Sequence, residues 1–333
     1  MTNLPNRYGP EFPGDFFSAR ELNRHTSGLV DTPDQVWSAL TEEQGLDLRD
    51  WSTNSRIRGA TAQGRLFFRG QADGGYGLSS SLHRLIANES STPLSEALLG
   101  EVEAAIIDEA AGHGLLKEIS RGELLMILQH HSAPTRLLDV SLKPLEALYF
   151  AVEKLDARDG RLFVLWLNDQ PDLVLRGTDE LPWTTYVRPG GQAAAEWTQS
   201  VRLVDEQPLD PRMVAQQGRF LVGGVQRAYA NLNMWHTHQL RVSERQKISM
   251  LCVGFFSSPQ SSMQDTKWPA LGWTIRIPSS WKAELRERLA ANGITHDSMY
   301  PDLGSIAWRA ERAARNSLSS GVPASGPNVK PPS

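Results

Sequence analysis

An arginine at the end of an apolar strand is held by the sheet behind it, and Arg69 occupies such a place. Leu66-Phe67-Phe68 precedes it and Gly70-Gln71-Ala72-Asp73-Gly74-Gly75 follows. Guanidinium is a rigid planar fork of donors that matches a carboxylate or a phosphate, and Gly70 lets other backbone or a ligand approach closely. Arg69 can therefore serve in an internal ion pair, with Asp139 as its partner, or as a clamp on an anionic ligand. A second dense segment, Gln129-His130-His131-Ser132-Ala133-Pro134-Thr135-Arg136-Leu137-Leu138-Asp139, adds donors, a second guanidinium and a carboxylate. Together the two segments form one candidate site.

Metal chemistry fits these residues poorly. His130 and His131 are neighbours, so on a helix they point roughly 100° apart. His236 and His238 form another pair, yet no His-x-x-x-His or Glu-x-x-His spacing occurs. A histidine that ends a helix is favourable against the helix dipole, which gives His130 or His131 a capping role instead. No metal is expected. The chain also lacks a G-x-x-x-x-G-K-[ST] phosphate loop and a G-x-S-x-G nucleophile turn. Ser79-Ser80-Ser81 reads as a helix N-cap cluster.

The elements that position these groups alternate in type. A strand covers Arg65 to Arg69, after a helix near Thr32 to Glu43, and the segment Tyr76 to Ile86 packs beside the arginine. A long helix over Leu94 to Ala111 places Leu98, Val102, Ala105 and Ile106 on one stripe; its acids Glu96, Glu101, Glu103, Asp108 and Glu109 read as a solvated face. Ser120 and Glu123 have capping-box spacing and open a helix that ends at Gln129-His130-His131. Pro134 stops that helix and Pro144 starts the next, so Thr135, Arg136 and Asp139 fall in a short connection between two buried helices. Later elements are a core strand over Arg161 to Leu167, a weaker strand over Val201 to Val204, and an apolar element over Asp210 to Val222 interrupted by Gln216-Gln217-Gly218. A strand over Leu271 to Ile277, a helix from Trp281 to Asn292 ended by Gly293, and a last helix over Leu303 to Ala314 complete the series. This mixture predicts an α+β fold, a central, mostly antiparallel sheet flanked by helices.

At 333 residues and 40% apolar composition the chain can bury a large core. Residues 1–15, with three prolines, read as an extended lead-in, 16–316 as a single domain, and 317–333, rich in Ser, Pro and Gly, as a disordered tail. A net charge of −4 provides no global field for nucleic acid or anionic lipid. The one cysteine, Cys252, lies in an apolar stretch and reads as a buried thiol. No secretory core or eighteen-residue apolar window occurs, so a soluble cytoplasmic protein is expected, with a nucleotide-like ligand or a protein partner rather than a membrane.

Several ordered blocks resemble the FRG domain of bacterial proteins: Phe68-Arg69-Gly70-Gln71, Leu78 with Ser81-Leu82 and Arg84, Gln129-His130 with Pro134-Thr135-Arg136-Leu137-Leu138-Asp139, and Pro144-Leu145 with Ala147-Leu148-Tyr149-Phe150-Ala151. Gln216-Gln217-Gly218 with Phe220, Gly293-Ile294 and Tyr300-Pro301-Asp302-Leu303 extend the resemblance over about 35–310. This chain has His131-Ser132 where the family usually has Tyr-Gly, and Val140-Ser141 where it often has Trp-Thr. The resemblance implies an effector or toxin-like component of bacterial defence. The strand-end aromatic-Arg-Gly also resembles the first motif of arginine-type ADP-ribosyltransferases, whose arginine holds the phosphates of NAD, and Pro144 to Ala151 resembles the helix that shapes their nicotinamide pocket. That second resemblance implies an ADP-ribosyltransferase-like fold and NAD as substrate, with Arg69, Gln71, His130, Thr135 and Arg136 binding it and Tyr149 or Phe150 packing on a ring. Those enzymes place a glutamate on a late strand. Gln216 and Gln217 stand there instead, so Asp139 and Gln217 are the catalytic candidates, for ADP-ribosyl transfer or glycosidic cleavage, unless the chemistry differs. The alternative is a non-catalytic module in which Arg69, Arg136 and Asp139 recognise a nucleotide, a phage component or a partner protein.

Overall fold

The computed structural model describes residues 32–41, 65–74, 76–90, 94–113, 119–168, 170–188, 192–205, 218–225, 249–255 and 269–301. The predicted lead-in and tail, the helix over 303–314, Gln216, Gln217 and the 236–238 histidines lie outside the described residues.

The fold is α+β. Helix α1 (Pro33–Thr41) is followed by strand β1 (Arg65–Gln71), helices α2 (Ser81–Glu89), α3 (Glu96–Gly112) and α4 (Arg121–His130), strand β2 (Leu138–Ser141), helix α5 (Pro144–Val152) and strand β3 (Gly160–Leu167). Then come β4 (Leu173–Val174), the short pair β5 (Val187–Arg188) and β6 (Gln192–Ala193), α6 (Ala195–Thr198), β7 (Arg202–Asp205), β8 (Gly218–Val222), β9 (Val253–Phe255), β10 (Ala270–Ile277), α7 (Lys282–Ala291) and α8 (His296–Met299). Eight strands make one sheet in the order β4-β7-β8-β2-β1-β3-β10-β9. Every interior pair is antiparallel and the outermost pair at each edge is parallel, as a mostly antiparallel sheet requires.

All eight residues of β3 are buried, so both of its faces are covered, and its sequence is accordingly a nearly continuous apolar run. Its neighbour β1 pairs with it from Arg65↔Leu167 to Gln71↔Arg161. Helix α5, with Pro144 in its first turn, buries Ala147, Leu148, Ala151 and Val152. It lies so close to the sheet that a Cβ on Gly70 would sit 1.8 Å from the carbonyl oxygen of Ala147, and one on Gly160 2.1 Å from that of Ala151. The glycine after Arg69 thus serves the approach of other backbone.

The connection between α4 and α5 contains more structure than its prolines suggest. Strand β2 crosses it and pairs with β1 through Phe68↔Ser141 and with β8 through Asp139↔Phe220. Asp139 therefore stands on a central strand of the sheet, whereas the sequence pointed to a loop. Four residues between two helices are too few for a period-2 signal, and pairing on both sides supplies what local preference does not.

Helix α4 begins with the expected capping box: the Ser120 hydroxyl accepts from the Glu123 backbone N–H, and the Glu123 carboxylate accepts from that of Ser120. It ends in a Schellman turn, with Ala133 N donating to Leu128 O at 2.9 Å and Ser132 N to Gln129 O at 3.1 Å. Ser132 takes a left-handed φ of 66°, the conformation that favours glycine. A Cβ there costs about 1–2 kcal/mol, partly offset by the roughly 0.5–1 kcal/mol of extra chain entropy that glycine loses. Ser132→Gly is expected to stabilise by about 0.5 kcal/mol and to raise the melting midpoint by about 1 °C; a lower midpoint in calorimetry would contradict this.

Candidate functional site

Where β1 and β2 meet the start of α2 and the end of α5, a cleft of about 380 Å³ opens. That lies within the roughly 300–1,000 Å³ of small-molecule sites. Arg69, Gln71 and Asp139 line it, as do Arg84, Gln129 and Tyr76.

Arg69 is delivered by β1. Its Nη1 donates to the backbone carbonyl of Asp139 at 2.6 Å and stands 3.7 Å from the Asp139 carboxylate. Its Nε is buried without an acceptor. Burial lowers its pKa to about 10, with Asp139 opposing the shift and Arg84 adding to it, so Arg69 remains a cation at neutral pH.

Asp139 is half exposed in the cleft, its side chain 52% accessible. Its orientation comes from a short relay. The Thr135 hydroxyl donates to Gln129 Oε1 at 2.5 Å, and Gln129 Nε2 donates to the Asp139 carboxylate. Thr135 itself is fully buried, accepts from the Leu137 backbone N–H at 3.2 Å and does not line the cleft. It acts on the site through Gln129.

Arg84 comes from α2, whose N-cap is Ser80 within the serine cluster. Its Nη1 donates to the Ser79 carbonyl at 2.5 Å, and its guanidinium carbon lies 5.0 Å from the centroid of the Tyr76 ring. No carboxylate stands within ion-pair distance of it among the described residues. Burial pulls its pKa below the ordinary arginine range, against the pull of Tyr76 and Asp139. A cation held partly out of water, stacked on a ring and lacking a direct counter-ion is a feature that an anionic ligand would complete. In the sequence Arg84 stands in a block of the family resemblance without a role in the site; the signal that could have assigned it one was its place one turn after a serine cap, on the helix entering just after Arg69.

Arg136 sits elsewhere. It is 1% exposed, and its Nε donates to both Glu103 carboxylate oxygens at 3.0 and 2.9 Å while Nη1 donates to Glu96 at 3.0 Å. Trp183 stacks on its guanidinium at 4.7 Å and donates from Nε1 to Glu103 at 2.8 Å. Arg136 does not reach the cleft. Glu96 and Glu103, expected on a solvated face, are buried with Leu99, Ile107 and Ala110, which form the inward stripe of α3.

Gln71 is 7% exposed, donates from Nε2 to the Gly77 carbonyl at 3.2 Å, and leaves Oε1 buried without a donor. Tyr149 is buried behind the cleft; its neighbour Phe150 lines it instead, in edge contact with Tyr300 at 6.2 Å. His130 ends α4. Gln217, outside the described residues, is followed by Gly218, which lines the cleft along with Phe220.

Comparison with known proteins converges on the same stretch. Residues 64–160 match the family model described as the FRG domain. No curated protein and no solved structure matches the chain. The matched span runs from β1 to the first residue of β3 and holds Arg69, Arg84, Gln129 and Asp139, so the stretch of the chain that is similar to the FRG domain also builds most of the cleft.

Proposed function

We propose that the cleft binds the phosphates of a nucleotide on Arg69 and Arg84, that NAD is the substrate, and that Asp139 is the carboxylate that acts on its glycosidic bond. The observation that carries this is Arg84, a cleft cation with no carboxylate within ion-pair distance among the described residues. Two guanidinium groups lining one cleft suit a diphosphate, because each can present donors to phosphate oxygens. Clamped there, the dinucleotide is held while the bond from C1′ to the nicotinamide nitrogen breaks and the bonding pair leaves on nicotinamide. Asp139 stabilises the positive charge that develops on the ribose. Water, or a nucleophilic side chain of another protein, then bonds to C1′ and gives its proton to the carboxylate or to solvent. In a bacterial defence setting, which the family resemblance suggests, such an activity makes the protein an effector acting on NAD or on a modified target. Among the described residues no helix is long and apolar enough to cross a membrane.

A second function has an observation of its own. The Asp139 carboxylate already accepts from Gln129 and faces Arg69, which suits a sensing module that holds a nucleotide, a phage component or a partner protein without turnover. Incubating the pure protein with NAD and following nicotinamide release separates the two. Turnover abolished in both Arg69→Ala and Asp139→Asn supports catalysis; NAD bound without release supports sensing. Neither binding nor release would contradict NAD as the ligand in either reading.

A further inference from the structure

Lys282 is the first residue of α7, far in sequence from the FRG match, and it is 0% exposed. Its ammonium donates to three backbone carbonyls: Ala72 at 2.8 Å, Lys154 at 2.8 Å and Leu155 at 3.1 Å. An ammonium has three donors and no acceptor, so this set is complete. No carboxylate stands within ion-pair distance of it among the described residues. All three carbonyl residues line the cleft, Ala72 just past β1 and the other two just past α5.

We propose that Lys282 is a positioning residue for the cleft, pinning the turn after β1 to the turn after α5 so that the wall opposite β2 keeps its shape. The proposal rests on the nucleotide site described above. Two further features support it. Leu155 is 45% exposed and holds a left-handed φ of 58°, a strained conformation for a leucine that persists only where the surroundings fix it. Its carbonyl is one of those that Lys282 holds, and the same carbonyl accepts from Arg158 N at 2.9 Å. The second feature is electrostatic. The ammonium sits just beyond the C-terminal, negative end of α5, where a cation is favoured, and burial lowers the Lys282 pKa against the pull of Asp156. An apolar side chain would fill the same space but could not hold three carbonyls from two segments.

The test uses the full chain, with Lys282→Met, which keeps the stem and removes the donors, and Leu155→Gly, which removes the strain and keeps the clamp. Amide hydrogen exchange and ADP affinity are read for each. In Lys282→Met, faster exchange confined to 72–77 and 153–158, with β3 amides unchanged, and an ADP affinity about tenfold weaker or more are expected. Leu155→Gly should keep the slow exchange of 153–158, because Lys282 still holds the turn. Unchanged local exchange, equal loosening of β3, or unchanged ADP affinity in Lys282→Met would overturn the proposal. If the wild type binds no ADP, the nucleotide proposal fails and the exchange pattern alone decides the clamp. If Lys282→Met does not fold, loosening of 153–158 in Leu155→Gly would overturn it.

Discussion

Replacing Gly70 with alanine is expected to destabilise the fold by more than about 3 kcal/mol, and in a thermal or urea titration the variant should be largely unfolded or melt far below the wild type. The added Cβ meets backbone atoms: the Ala147 carbonyl oxygen at 1.8 Å and the Ala151 nitrogen at 2.7 Å. A flexible side chain could rotate away, but a helix backbone can only move as a body. Moving α5 outward opens its contact with β1 and β3, and interiors packed at crystal-like density have no slack to absorb the shift. The same motion displaces Ala147 and Phe150, which line the cleft. A loss below about 1 kcal/mol would show that α5 does not lie this close. Much of the FRG tripeptide is thereby a packing signature: the phenylalanine belongs to the core, the glycine is the seat of a helix, and of the three lining residues only the arginine brings a polar side chain to the cleft.

Arg136→Ala should cost about 3–5 kcal/mol, the usual penalty for removing one partner of a buried ionic cluster. It leaves Glu96 and Glu103 buried with their charges facing each other, Glu103 keeping the Trp183 indole and Glu96 the Val225 backbone N–H. Burial already raises the Glu103 pKa, against the pull of Arg136 and Trp183. An acid whose folded pKa lies above its unfolded value contributes stability that is present at low pH and lost as pH rises. Without Arg136 that shift grows, so the deficit of Arg136→Ala should be smaller at pH 5 than at pH 8 in matched urea titrations. A loss under about 1 kcal/mol, or a deficit that grows on acidification, would contradict this arrangement.

The local signals were legible where they were local. The capping box at Ser120, the serine cap of α2, Pro144 opening α5, Gly293 after α7 with φ of 77°, and the apolar runs of β3 and β10 all appear in the sequence as short-range patterns, and the structure contains them. What stayed hidden depends on partners far along the chain. Glu96 and Glu103 look like any acids on an amphipathic helix until Arg136 and Trp183 arrive from other segments, and they rotate the buried face of α3 onto Leu99, Ile107 and Ala110. Strand β2 is too short to show its own period and exists because β1 and β8 flank it. At the site, the pairing of Arg69 with Asp139 was foreseen as a choice between ion pair and clamp; the structure shows contact with the Asp139 backbone as well as its carboxylate. Gln129 already stood in the candidate segment, but its link from Thr135 to Asp139 appears only in three dimensions, and Arg84 emerges as a site residue only when α2 comes beside β1.

On the proposed function the cleft is a nucleotide-phosphate site in which Arg84, with no carboxylate within ion-pair distance among the described residues, takes a phosphate. The most direct test is a calorimetric titration of the full chain with ADP, repeated with Arg84→Ala and Arg69→Ala variants shown to melt like the wild type. Saturable binding that weakens with added salt and falls by about tenfold or more in each variant is expected, which corresponds to about 1.4 kcal/mol or more per arginine. An absence of ADP binding by the wild type, or an Arg84→Ala variant that binds as tightly as the wild type, would contradict it.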